Sequence, residues 1–279
     1  ANEARYGSLM HPGDSFSYDI FSQIAQSIRN PEGIDPLGGL IPQHLIAYGE
    51  SQSAGRLVTY INALHPLYNT FDAYMVHRRG DGSSPFAQEP LVSIQTPAAP
   101  LIRTDLNAPV TTFETENDVV FLEFANASQP DTDIIRTWEV ACTAHGDYYT
   151  FISVRDDDVG APQFAAVIEE TSILGFIDCD LPMNNGPHHY IFNRAVRALN
   201  DWVGDGTLPP QSPQLEINAD SSDYVSDELG NALGGLRPPY VESPASMSRG
   251  EPTPRTAFTC VAVPQPLLRA AHMDSFAIC

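Results

Sequence analysis

The chain has 279 residues, 42% of them apolar and 18% charged, enough to bury a sizeable core in one large domain. Its formal net charge is −21 and every basic residue is arginine, so the basic footprint that nucleic acid or an anionic membrane surface requires is missing. No apolar run approaches the roughly 20 residues of a membrane span.

In chain order, the first clear element is an amphipathic helix over Asp14 to Arg29. Ile20, Phe21, Ile24, Ala25 and Ile28 recur at helical spacing, and Asn30-Pro31 ends it. A turn at Pro36 to Gly39 leads to the apolar run Leu45 to Tyr48, which reads as a buried strand. It stops at Gly49-Glu50-Ser51-Gln52-Ser53, and an apolar helical pattern, Leu57, Val58, Ile61 and Leu64, follows at once. His65-Pro66 is expected to stop that helix. Further strands are predicted over Phe71 to Val76, Pro109 to Phe113 and Ile134 to Ala141, all rich in bulky apolar residues. Residues 80–107, rich in Pro, Ser, Gly and Gln, have the composition of a cap or lid segment. Pro187 is placed to open a helix whose buried stripe is Ile191, Ala195, Leu199 and Trp202, with Gly204 as its end. From Leu208 onward the sequence is proline-rich and irregular, and reads as an extension packed against the same domain.

The strand, abrupt turn and helix around Ser51 carry the chemistry. A serine at the apex of such a turn is pushed clear of the sheet in a strained backbone that small neighbours permit. It also sits at a helix N-terminus, where free N–H groups and the dipole favour developing negative charge. This is the arrangement of a nucleophile elbow, with Ser53 where the G-x-S-x-G pattern has its last glycine. A serine nucleophile needs a base and an acid to orient the base, and in this architecture they follow in the order Ser, acid, His on loops after later strands. The acid candidates lie in the turn after the third strand. Asp118 is the first choice, with Thr115 in the small position before it, and Glu116 is the alternative. His145 follows the fourth strand after a turn of small residues and is the candidate base. Asp147 either assists it or ends the turn. His188 and His189 read as helix-capping or packing residues, and His77 as structural or pocket-lining. The Gln52 backbone N–H is the expected oxyanion donor.

Four cysteines, Cys142, Cys179, Cys260 and Cys279, include no C-x-x-C pair. They suit either four buried thiols or two disulfides in an oxidising compartment. If they pair, Cys142 with Cys179 and Cys260 with Cys279 are the expected links, and a secreted or periplasmic location goes with them. The acidic clusters Asp156-Asp157-Asp158, Asp178-Cys179-Asp180 and Asp220 to Asp223 lack calcium-loop spacing. No metal and no cofactor are expected.

The segments RYGSLMHPGDSFSYDIFSQ, IAYGESQSAGRLVTYINALHP, WEVACTAHGD, NNGPHHYIFNRAVRALNDWV and GNALGGLRPPYVESP, in that order, resemble a large bacterial alpha/beta hydrolase domain family of mostly uncharacterised serine hydrolases. The resemblance implies an α/β-hydrolase fold, a mostly parallel sheet flanked by helices, in one domain over 1–279. It implies Ser51 as nucleophile, His145 as base and an acid within the Glu116 to Asp118 turn. Cys142 stands where the family usually has glycine. The activity implied is hydrolysis of a small-molecule or polymeric carboxylic ester through an acyl-enzyme. The alternatives are an acyltransferase on the same residues and a catalytically silent binding or structural protein. Few residues precede the elbow strand, where this fold usually has several strands. An upstream segment of the same precursor, cleaved and retained or present as a companion chain, is therefore expected to carry those strands and a second oxyanion N–H, the alternative being that the C-terminal tail fills the gap.

Overall fold

The computed structural model describes residues 3–10, 13–87, 91–92, 94–147, 149–150, 172–173, 177–178, 184, 186, 188–221 and 223–242. Its centre is a four-stranded, all-parallel sheet whose spatial order is the chain order: β1 (Ile46–Glu50), β2 (Ala73–His77), β3 (Val110–Thr115) and β4 (Ile135–Val140). The strands β2, β3 and β4 are buried along their whole length. β2 writes this burial as a continuous apolar run, Ala73 to Val76, whereas β3 and β4 also bury polar side chains, Thr111, Thr112 and Glu114 in one and Arg136, Thr137 and Glu139 in the other.

Helices cover both faces, and the alternation of side chains along β2 shows how. Tyr74 and Val76 join the core on one side, with Leu57, Val58, Tyr60 and Ile61 of α3 (Gln52–Ala63) and Tyr18 and Ala25 of α2 (Ser17–Arg29). Ala73 and Met75 join the opposite core, with Phe113, Trp138 and the stripe Ala195, Ala198, Leu199 and Trp202 of the long helix His188–Asp205. Among the described residues the remaining α-helices are short: α1 (Glu3–Tyr6), α4 (His65–Tyr68) and α5 (Glu116–Val119), so that the long helix is α6, and α7 (Pro239–Glu242) closes the described chain. A two-residue antiparallel pair joins Ser172–Ile173 (β5) to Ile177–Asp178 (β6).

Three sequence expectations are corrected. The α2 stripe is rotated from the one expected: Tyr18, Ser22 and Ala25 are buried, whereas Ile24 is exposed. Ser22 is accommodated because its hydroxyl bonds the Tyr60 hydroxyl at 2.7 Å. His65-Pro66 does not stop the helical path but opens α4, since a proline in a first turn forfeits only an amide that has no helical partner. Gly204 lies inside α6, and the chain leaves the helix at Gly206, whose φ of 81° is the left-handed value a glycine takes readily.

Two further segments are tied down. In 80–107, Ser84 exchanges bonds with α3 through Gly55 O and Thr59 Oγ1, at 3.1 and 2.6 Å, and Pro85 O accepts the Tyr18 hydroxyl at 3.1 Å. The irregular tail docks on the free side of β4. Leu236 forms a parallel bridge to Val140, donating to Glu139 O at 2.7 Å and accepting from Ala141 N at 3.1 Å. The Gly234-Gly235 pair makes this possible. Both have positive φ, and a Cβ on Gly234 would lie 2.2 Å from Gln214 O.

Candidate active site

β1 runs straight into the turn that holds Ser51. The serine has φ 54° and ψ −120°, a backbone that ordinary L-residues avoid, and its side chain is exposed. Two constraints hold it there. The Ser51 amide donates to His77 O at the end of β2, at 2.9 Å, and its carbonyl accepts the amides of Ala54 and Gly55 as α3 begins. Gly49 is required by the same geometry, because a Cβ there would sit 2.6 Å from Ser53 O and 3.1 Å from the Leu57 Cβ. Ser53, where the motif's last glycine would fall, is exposed and tolerated. The Gln52 amide opens α3 beside the hydroxyl and is left without an intrahelical partner.

The turns after β3 and β4 meet at Ser51. Thr115 caps α5, and Asp118 closes a capping box: its Oδ2 accepts the Thr115 amide at 2.7 Å and the Thr115 hydroxyl at 2.6 Å. This aims Oδ1 at His145 Nδ1, 2.5 Å away, and the ring's other nitrogen, Nε2, is 2.9 Å from Ser51 Oγ. Asp118 is fully buried, and the His145 backbone is fixed by its amide bonding Asn117 Oδ1 at 3.0 Å. A carboxylate can only accept, so Nδ1 carries the imidazole proton and Nε2 turns a lone pair to the serine hydroxyl.

The other expected positions fall elsewhere. Glu116 is fully buried and directed to the β4 turn, where Oε1 accepts the Cys142 amide at 2.5 Å; its carbonyl receives the Tyr224 hydroxyl. Asp147 Oδ1 accepts the Thr150 amide and hydroxyl, at 2.8 and 2.6 Å, which makes it a turn-capping residue. Cys142 has φ 60°, which explains why glycine suits that position. Cys142 is disulfide-bonded. Cys179, Cys260 and Cys279, and with them both expected pairings, lie outside the described residues, as does the cluster at 156–158. Among the described residues no group of three His, Cys, Asp or Glu is arranged to hold a metal ion, and no helix is long and apolar enough to cross a membrane.

Sequence reasoning did not find what lies behind the elbow. His77 and His188 are buried there against Arg78, itself buried and at φ 54°. Burial first, and the Arg78 charge next, push both imidazoles well below the usual histidine range. Next to Ser53, a mainly apolar cleft of about 220 Å³ is lined by Tyr18, Phe21, Tyr48, Leu57 and Tyr60. A larger open cleft of about 620 Å³, lined by Val119, Phe121, Glu123 and Tyr224, lies around α5 and includes none of Ser51, Asp118 or His145.

A parallel sheet flanked by helices, with a strand–serine–helix elbow and a histidine and a carboxylate presented from later strands, defines an α/β-hydrolase. A family model described as alpha/beta hydrolase domain matches residues 1–270, and the chain belongs to that family. No curated protein matches the chain. No solved structure matches it either.

Proposed function

We propose that the protein is a serine esterase working through an acyl-enzyme. The observation that carries this reading is the hydrogen-bonded line Asp118 Oδ1, His145 Nδ1, His145 Nε2, Ser51 Oγ, with contacts of 2.5 and 2.9 Å, ending on an exposed serine in a strained turn. Ser51 Oγ attacks the ester carbonyl while its proton passes to His145 Nε2. Asp118 holds the ring in the required tautomer and stabilises the imidazolium. The Gln52 N–H faces the charge that develops on the carbonyl oxygen. His145 then protonates the departing alcohol. A water molecule, deprotonated by the same nitrogen, attacks the acyl group and frees Ser51. No step calls for a cofactor.

The cleft beside Ser53 supports a substrate whose acyl or alcohol part is small and apolar, on a small molecule or at a polymer surface. The acidic surface supports a neutral or cationic substrate. The bonded Cys142 supports an oxidising compartment, secreted or periplasmic. The reading is tested with a fluorophosphonate probe and a panel of aryl esters of increasing acyl length. The expected result is covalent labelling at Ser51, abolished by Ser51→Ala, with the best turnover on short acyl chains. An unlabelled serine overturns it.

A further inference from the structure

Five side chains behind the elbow close a hydrogen-bonded ring. Tyr48 and Glu50, two residues apart on β1, share a face; His77 ends β2, Arg78 follows it, and His188 opens α6. Arg78 Nη1 donates to Glu50 Oε1 at 2.9 Å. The Tyr48 hydroxyl donates to Glu50 Oε2 at 2.6 Å and lies 2.9 Å from His77 Nδ1. His77 Nε2 is 2.9 Å from His188 Nε2. The guanidinium edge lies across the His188 ring, with Nη2 3.0 Å from both nitrogens and Nε 3.2 Å from Nε2.

Counting protons assigns the directions at Tyr48 and His77. Tyr48 has one O–H, and the carboxylate takes it. Toward His77 the hydroxyl therefore accepts, and His77 Nδ1 holds the proton. His77 Nε2 is then bare, 2.9 Å from His188 Nε2. Arg78 donates on two sides, through Nε to His188 Nε2 at 3.2 Å and through Nη1 to Glu50 Oε1. Burial beside the guanidinium keeps both imidazoles neutral.

The ring grips the elbow from two sides: Glu50 is the residue before Ser51, and the His77 carbonyl holds the Ser51 amide at 2.9 Å. We propose that this ring is the positioning device that keeps Ser51 in its reactive backbone conformation. The inference rests on Ser51 being the nucleophile. The charged and titratable groups around the two imidazoles are Glu50, Arg78, His145, Asp147 and His189, with Asp147 Oδ2 3.8 Å from His188 Nδ1. A second proton on either imidazole removes an acceptor from the ring and sets a cation against Arg78. Acid therefore opens the ring, in addition to protonating His145.

Tyr48→Phe removes one oxygen from a half-exposed side chain. Glu50→Gln keeps an oxygen acceptor for Arg78 but then turns its amide nitrogen, which cannot accept, to Tyr48. Each is expected to slow fluorophosphonate labelling and kcat by about tenfold or more, with near-UV circular dichroism intact. The double variant is expected to be no slower than the worse single one, because both break the same link. The acid limb of the labelling rate, steeper than one proton in the wild type, becomes a one-proton limb in the variants. A Tyr48→Phe protein that labels at the wild-type rate, or a double variant whose losses simply add, overturns the ring while leaving the esterase reading in place. A wild-type chain that the probe leaves unlabelled overturns both.

Discussion

Glu114 and Glu139 stand directly opposite each other in the β3–β4 register, and both are buried. Burial, and then the neighbouring Asp118 charge, holds the Glu114 carboxyl well above the usual range, with Arg79 pulling the other way. Burial pushes Glu139 up to about 7, although the Leu215 amide bonds its Oε2 at 2.7 Å. A carboxyl whose native value is raised binds its proton more tightly when folded. Its neutral form thus contributes stability that is full below the unfolded value and is lost as pH rises toward 7. Glu139→Gln keeps an acceptor for Leu215 and removes that titration. The variant should match the wild type at pH 4 and melt several degrees higher at pH 8. A lower melting temperature for the variant at pH 8 would show that the ionised carboxylate is stabilising.

Asp118→Asn should lower kcat by roughly 10⁴, the scale seen when the acid of such a triad can no longer hold the tautomer. Glu116→Gln should cost far less in rate and more in stability, since Glu116 serves the Cys142 amide and not the imidazole. Steady-state kinetics on an aryl ester, with thermal melts alongside, separate the two. The reverse order would move the acid to Glu116.

Gly49→Ala should be among the most damaging of small substitutions. Its Cβ meets backbone, Ser53 O at 2.6 Å, and not the yielding end of a side chain. The first turn of α3 would have to move, taking Ser51 away from His145. Loss of about 100-fold or more in kcat/KM is expected, together with a lower melting temperature. Unchanged labelling of Ser51 would show that the elbow can relax.

Gly234→Ala tests the tail. The position combines φ 72° with a 2.2 Å approach to Gln214 O, so the substitution should undo the bridge between Leu236 and β4 and destabilise by roughly 1–3 kcal/mol. Limited proteolysis should cut the variant within residues 208–242 while the wild type resists. Equal resistance would mean that the docking tolerates a side chain there.

Much of this fold is legible along the chain because bulky apolar residues mark each strand, most plainly Ala73 to Val76 of β2, even where β3 and β4 interleave them with Thr111, Thr112, Arg136 and Glu139. The turn at Ser51 is legible for a related reason, since small residues cluster where α3 comes close to β1. Ser51, Asp118 and His145 could be picked by their order after successive strands. What could not be read was anything assembled from distant segments by shape alone. Tyr48 and Glu50 are an unremarkable pair on an edge strand, and His188 looks like a helix-start residue. Only the sheet order and the docking of α6 bring them onto Arg78. The exposed Ile24 escaped because α2 packs through Phe21 on Tyr60 of α3 and on Phe71, and a helical stripe does not say which of its flanks is covered.

The strand order of the sheet is also its order of synthesis, and this has a consequence for assembly. The serine turn leaves the ribosome with β1, the carboxylate with β3 and the imidazole only after β4. On the proposed chemistry, a chain stopped short of the fourth strand displays Ser51 as an ordinary alcohol with nothing to deprotonate it. An organophosphorus probe added during refolding would therefore time the completion of the sheet's far side, three strands over from the one that carries the atom it labels.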